Sequence, residues 1–397
     1  MKIAYFSDNF YPEISGMTDA ILLLGKELIN RGHDILYVAP KYPKSAFERG
    51  NFGYRELDQG PHAQAFRIPS IPFRSSPTGQ SAIAFPFGWS LPTLKRFKPD
   101  IIHVHSPFGA GLEGLYAAKL LGFPMVGTNH TPIAEFMKYT PIHTGFSTYV
   151  AEKWYVTFYN RCRFVSAPSQ VILDDMAKQG LVRSRRAISN PLNVTDFNPV
   201  DEAKKNELKK KHGVGFPTLI YTGRLAEEKK IDLTIEAVAR LAVDIPDIRL
   251  IITGYGKAEQ KLRALVASKG IDKNVLFTGF VPTATLVELY QAADIFVIMS
   301  TAETQCLSLM QAMATGLPSI VARSWALPEY VRDNRGLVVD AGDVAGLSAA
   351  IRKLIDVPGL RAEMGVRARD FVRTLASPII AEQWDKIYEN IRHNPRS

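Results

Sequence analysis

Glu303 is the acid in this chain best placed to do chemistry. It lies in the loop between an apolar run of buried-strand type, Asp294-Ile-Phe-Val-Ile-Met299, and a segment from Leu307 to Ala314 that reads as a helix. Gly316 closes that helix and Pro318 stops it. An acid there stands where open parallel sheets bind ligands, beside first-turn N–H groups that suit a phosphate. The alternative is an acid that only compensates the helix macrodipole. Two permanent cations, Arg224 and Lys229, stand five apart in Thr222-Gly-Arg-Leu-Ala-Glu-Glu-Lys-Lys-Ile231, after a second apolar run. A strand-to-helix loop can converge both on a diphosphate, and Gly223 lets the backbone pass close to it. Taken alone, each would be an ordinary solvated loop cation.

Other loops offer weaker signals. Thr253-Gly-Tyr-Gly256 and Thr278-Gly-Phe-Val281 each end a predicted strand with glycine, which makes a turn by default. The first is a bare G-x-G and lacks the rest of a dinucleotide fingerprint. Ser15-Gly16, in Ile14-Ser-Gly-Met17, falls between the first strand and the first helix, where a glycine admits a phosphate. His130 follows a strand in Gly127-Thr-Asn-His-Thr131, whereas His103 and His105 lie within the preceding strand and read as core. The H-x-H spacing points two rings the same way with no third ligand near in sequence, so no metal site is expected.

The stretch from Glu303 to Pro318 resembles the signature of the retaining glycosyltransferases of family 4: a Glu, seven residues, a second Glu, then Ala-Met-Ala and Gly-Leu-Pro. Here the second acid is replaced by Gln311. Gly223-Arg-Leu, three residues, then Lys229 matches a further motif of that family. The resemblance implies that Glu303 touches the transferred sugar and that position 311 holds the ribose. It implies that Arg224 and Lys229 neutralise the diphosphate and that His130 lies beside the donor sugar, which completes the expected catalytic set. It also implies donor contacts from Gly16, Gly223 and Gly254, from Phe280 and Val281 at the base, and from Thr304, Gln305, Cys306 and Leu307 around the acid. Gln311 can still hydrogen-bond a hydroxyl, without the charge assistance of a carboxylate.

The elements that position these residues form two series. Lys2-Ile-Ala-Tyr-Phe6, Asp34-Ile-Leu-Tyr-Val-Ala39, Ile101-Ile-His-Val-His105, Pro124-Met-Val-Gly-Thr128 and Phe164-Val-Ser-Ala167 read as strands alternating with helical patterns. A second series starts at Thr218-Leu-Ile-Tyr-Thr222 and runs through Arg249–Thr253, Val275–Thr278 and Ile295–Ile298 to Pro318–Ala322. Repeated strand–helix–strand units predict parallel sheets covered by helices. At 397 residues, two domains are the natural expectation. The Asn- and Pro-rich segment 188–199 places the boundary at 190/191. By the resemblance, the fold is α/β with two Rossmann-like domains facing a cleft, called GT-B. The last helix, 378–397, crosses back to the first domain, leaving 191–377 as the donor domain.

Apolar content of 46% and charged content of 22% are ordinary for a globular protein. Cys162 and Cys306 are too few and too far apart to suggest disulfides or a metal site. No apolar stretch approaches the roughly 20 residues that span a bilayer, and Met1-Lys-Ile-Ala-Tyr-Phe-Ser7 reads as a strand rather than a signal peptide. A cytoplasmic protein is therefore expected, peripheral on the cytoplasmic face of the membrane. The net charge of +9 favours an anionic partner, and without any nucleic-acid-binding signature a nucleic acid is not expected.

Phe136, Tyr139, Phe146, Tyr149, Trp154, Tyr155, Phe158 and Tyr159 crowd a region with Lys138, Lys153, Arg161 and Arg163, which could be core or an interfacial surface that dips into lipid headgroups. The segment Pro69 to Pro92, with Phe73, Phe85, Phe87 and Trp89 beside Arg67 and Arg74, reads as an irregular acceptor surface. The pattern around Glu303-Thr-Gln305 and these aromatics are most similar to the branch of the family that glycosylates diacylglycerol or related lipids. The implied reaction is retaining transfer of a hexose from a nucleotide-diphosphate sugar of UDP-glucose type, with no metal or other cofactor. Rival readings are transfer to a soluble sugar or polysaccharide, epimerisation of the nucleotide sugar, and a non-catalytic binder.

Overall fold

The computed structural model describes residues 1–13, 15–49, 55–73, 80–131, 133, 137, 144–193 and 195–394. Of the residues named above, Ile14, Arg74, Phe136, Lys138 and Tyr139 lie outside these. The chain divides into two compact units, Met1–Leu192 with Ser377–Ser397, and Asn193–Ala376.

The first unit is built on a seven-stranded parallel sheet. Its strands are β1 (Lys2–Phe6), β2 (Asp34–Pro40), β3 (Ala63–Ile68), β6 (Ile101–Val104), β7 (Met125–Thr128), β8 (Phe164–Ala167) and β9 (Ser184–Ala187), in the order β3-β2-β1-β6-β7-β8-β9. The central strands are continuous apolar runs because helices cover both faces; β6 and β7 are buried throughout. The edge strands β3 and β9 carry exposed polar residues, as edges do. The described residues of the segment 69–92 include regular elements that its Pro and Gly content does not predict. A short antiparallel pair, β4 (Ser70–Pro72) with β5 (Ala82–Ala84), sets Ile71 opposite Ile83, and the helix Leu91–Phe97 begins before the segment ends.

The C-terminal helix Ser377–His393 belongs to this unit. Trp384 packs 4.5 Å from the His103 ring, and the Tyr388 hydroxyl sits between His103 Nδ1 at 2.7 Å and Tyr5 Oη at 3.3 Å. Asp385 accepts from Arg31 and lies 2.8 Å from His33 Nε2, which fixes the helix to Gly16–Asn30 and the turn after it.

The second unit repeats the plan with six parallel strands: β10 (Thr218–Thr222), β11 (Arg249–Thr253), β12 (Val275–Gly279), β13 (Ile295–Ile298), β14 (Ser319–Ala322) and β15 (Gly336–Val339), in the order β12-β11-β10-β13-β14-β15. The charged run after residue 200 is the helix Glu202–Lys211. Its Lys205 and Lys209 lie 2.8 and 2.7 Å from the buried Asp294 carboxylate, which also accepts from the Thr218 N–H.

Candidate active site

In an open parallel sheet, ligands bind at the carboxyl ends of the strands, where the strand order reverses. In the second unit that point lies between β10 and β13, and the loops after these two strands carry Arg224, Lys229 and Glu303. Lys229 Nζ is 2.5 Å from Glu303 Oε1, with 15% and 11% of the side chains exposed. Burial pulls the Lys229 ammonium down, but the adjoining carboxylate outweighs it and leaves the group above its ordinary value. Arg224 is close enough to Lys229 to oppose its charge, and Arg224 Nη2 pairs with Glu228 Oε1 at 2.7 Å. The two cations thus converge, each resting on a carboxylate. Glu228 carries no motif signal, and its carbonyl also accepts from the Thr301 N–H at 2.9 Å, tying the two loops together.

Glycine is required where the neighbouring loops touch. Gly223 and Gly254 have φ of +142° and +127°, and a Cβ on Gly254 would lie 2.0 Å from the Gly223 carbonyl oxygen. This brings the loop after β11 against the one after β10. Next to it, Phe280 is 72% exposed and its ring meets that of Tyr255 edge-on at 6.3 Å; Val281 is half-buried beside it. Tyr255 was visible only as the middle of a glycine turn.

The acidic loop enters the helix Leu307–Ala314 with no side-chain cap. Thr304 and Gln305 are half-buried and Leu307 is exposed. Cys306 is buried, its Sγ 3.2 Å from Ser308 Oγ, and burial pushes its thiol up to about 12, so it packs as a neutral group. Gln311 is half-buried above Tyr290, whose hydroxyl lies 3.3 Å from Gln311 Oε1 and whose ring is fully buried.

In the first unit the corresponding reversal lies between β1 and β6. Gly16 opens the helix Gly16–Asn30, capped by Ser15 Oγ accepting from the Thr18 N–H, and a Cβ on Gly16 would meet nothing within 4 Å. His130, after β7, is buried with its Nε2 3.0 Å from His105 Nδ1, and Asn190 hydrogen-bonds the same ring. Burial lowers the His130 pKa to about 4, so the ring is neutral at pH 7. His103 and His105 stack at 4.1 Å, and both nitrogens of His103 are taken, by Tyr388 and Thr128. Among the described residues no three His, Cys, Asp or Glu side chains are grouped to hold a metal ion, and no helix is long and apolar enough to cross a membrane.

Two family models match the chain and between them take up most of it: "Glycosyltransferase Family 4" over residues 14–195 and "Glycosyl transferases group 1" over residues 203–371. A GDP-mannose-dependent alpha-mannosyltransferase of Mycolicibacterium smegmatis is 28% identical, with 98% of each chain covered. An alpha-monoglucosyldiacylglycerol synthase of Streptococcus pneumoniae is 27% identical over 91% of this chain and 80% of its own. Among solved structures, Anabaena HepE in complex with UDP superposes with a TM-score of 0.79 at 19% identity, covering 98% of this chain and all of its own. That likeness shows the two-unit α/β fold of the GT-B enzymes. With both models matched and the motif residues gathered on two adjoining loops, the chain belongs to the family-4 glycosyltransferases.

Proposed function

We propose that the protein transfers a hexose from a nucleotide-diphosphate sugar to a hydroxyl of a membrane lipid such as diacylglycerol, with retention at the anomeric carbon. The observation that carries the donor side is the convergence of Arg224 and Lys229 beside Glu303 at the reversal point of the second sheet. In this reading the two cations take up the charge that grows on the departing diphosphate, the largest electrostatic demand of the step. The leaving phosphate accepts the proton of the incoming hydroxyl on the same face of the sugar, so no protein nucleophile is needed. Glu303 holds the sugar through its hydroxyls, oriented by Lys229. In this reading His130, held neutral by burial, adds no charge beside the sugar. Because the cations supply the neutralisation, we propose that no metal is required.

The lipid acceptor is supported by the helix Gly145–Tyr159. Phe146, Tyr149, Val150 and Trp154 are exposed at helical spacing along one face, with Lys153 over the Tyr149 ring, while Tyr155, Val156, Phe158 and Tyr159 fill the opposite, buried face. Two relatives named as monoglucosyldiacylglycerol synthases agree with it. The donor we propose is of UDP-glucose type. GDP-mannose is the second reading, favoured by the mannosyltransferase relative that matches end to end.

The test is mass spectrometry of products formed from UDP-glucose or GDP-mannose with diacylglycerol vesicles or soluble sugars, with and without EDTA, and anomeric configuration by NMR. An α-glucosyl lipid formed equally well in EDTA is the expected product. Glycosylation of soluble acceptors alone would replace the lipid reading, and conversion of the donor without an acceptor would replace transfer itself.

A further inference from the structure

Beneath Gln311 lies a hydroxyl network that nothing in the motif pattern foretells. Tyr290, on the helix Thr283–Ala292, is fully buried between Phe197 and Phe296. Its Oη contacts Thr222 Oγ1 at the end of β10, donates to the Ser308 carbonyl oxygen at 3.0 Å, and lies 3.3 Å from the Gln311 amide. A phenol has one proton and two lone pairs. The Ser308 carbonyl can only accept, and it is nearer than Gln311, so it takes that proton. Thr222 fills one lone pair as a donor, which leaves the second facing Gln311. An amide oxygen there would oppose lone pair to lone pair. A half-turn of the amide, which leaves its shape unchanged, instead presents Nε2–H to Tyr290 and saturates the phenol.

We propose that Tyr290 is a positioning residue for Gln311: by accepting from Nε2–H it turns Gln311 Oε1 outward as an acceptor for a ribose hydroxyl of the nucleoside diphosphate. Glutamine then offers the ligand the same hydrogen-bond polarity as a carboxylate without adding a negative charge near the diphosphate. This rests on the donor-site reading above and adds to it the residue that sets the direction of the contact. The ring of Tyr290 already packs on both sides, so Tyr290→Phe removes the hydroxyl alone.

Calorimetry on the whole protein decides it, with UDP, GDP and their 2′- and 3′-deoxy forms as ligands for the wild type, Tyr290→Phe and Gln311→Ala. The wild type is expected to prefer the ribonucleotide over at least one deoxy form by roughly three- to tenfold, the worth of one neutral hydrogen bond. Tyr290→Phe is expected to bring that ratio within about twofold while inorganic pyrophosphate binds as before, an outcome that general loosening of the site would not give. A ratio kept in Tyr290→Phe but lost in Gln311→Ala overturns the positioning role. A ratio kept in both removes Gln311 from the ribose, and a wild type that binds neither UDP nor GDP overturns the donor-site reading itself.

Discussion

Lys229 and Arg224 share a loop but differ in what they leave behind when removed. The Glu303 carboxylate is 11% exposed and rests on Lys229, so Lys229→Ala strands a buried charge as well as losing a ligand contact. Arg224 is 37% exposed and pairs with a partner on its own loop. Both substitutions are expected to weaken nucleoside-diphosphate binding by about 1.5–3 kcal/mol, the range for a hydrogen bond to a charged group. Only Lys229→Ala should also lower the melting temperature clearly. Calorimetry with UDP and GDP together with thermal unfolding checks this, and unchanged affinity in both variants would place the diphosphate elsewhere. The motif residues could be picked out because short spacings carry them, Arg224 and Lys229 on the loop after β10 and Glu303 and Gln311 on the loop and helix after β13. Glu228 and Tyr290 were not, since their contacts join residues 73 or 21 positions apart that periodicity cannot pair.

The elements were legible to the degree that they are buried. The helix Leu307–Ala314 and the strand Phe164–Ala167 stand where the sequence puts them, because each is an apolar run closed on its C-terminal side, by Gly316 and Pro318 in the one and by Pro168 in the other. The edge strands β3 and β9 escaped, since Ser-Arg-Arg-Ala has no apolar run to find. The hairpin β4–β5 escaped because Pro72 and short length hide it. The helix Gly145–Tyr159 divides the aromatics that the sequence left as one crowd, some to the core and some to solvent. A consequence of the β6–β7 packing is acid sensitivity. Burial lowers the pKa of His103, His105 and His130, and that of His130 to about 4. A histidine held neutral in the fold contributes stability that is whole above its unfolded pKa of about 6.5 and is lost as pH falls toward its folded value. For His130 the window runs from about 6.5 to 4, worth about 3 kcal/mol at 1.36 kcal/mol per unit. Urea unfolding at pH 7, 6, 5 and 4 should show the wild type losing more stability than His130→Gln, and equal losses would mean that His130 protonates freely in the folded protein.

At the scale of the whole molecule, charge and exposed apolar surface gather on the same unit. Residues 1–200 hold 21 Lys and Arg against 15 Asp and Glu. The described residues there expose Phe146 at 78% and Tyr149 at 55% on one helix, and Phe87 at 74% with Trp89 at 46% after the β4–β5 hairpin. Single exposed apolar side chains are common, but aromatics aligned along a helix with a lysine between them suit the boundary between headgroups and acyl chains. Cations at an anionic surface contribute on the order of 1 kcal/mol each, and inserted aromatics add apolar burial. Both contributions are reversible, so in the lipid-acceptor reading proposed above the association with the membrane is expected to be reversible too. Binding to vesicles is therefore expected to rise with the fraction of anionic lipid and to fall with added salt, because exposed charges are screened over about 8 Å at physiological ionic strength. Phe146→Ser and Tyr149→Ser together should weaken vesicle binding while leaving the melting temperature nearly unchanged, since both rings face solvent in the folded unit. Sedimentation with vesicles of graded phosphatidylglycerol content reads all three effects. A protein that ignored lipid charge and salt would have its acceptor hydroxyl in water, on a soluble sugar, and the aromatic face of the helix would then need another partner.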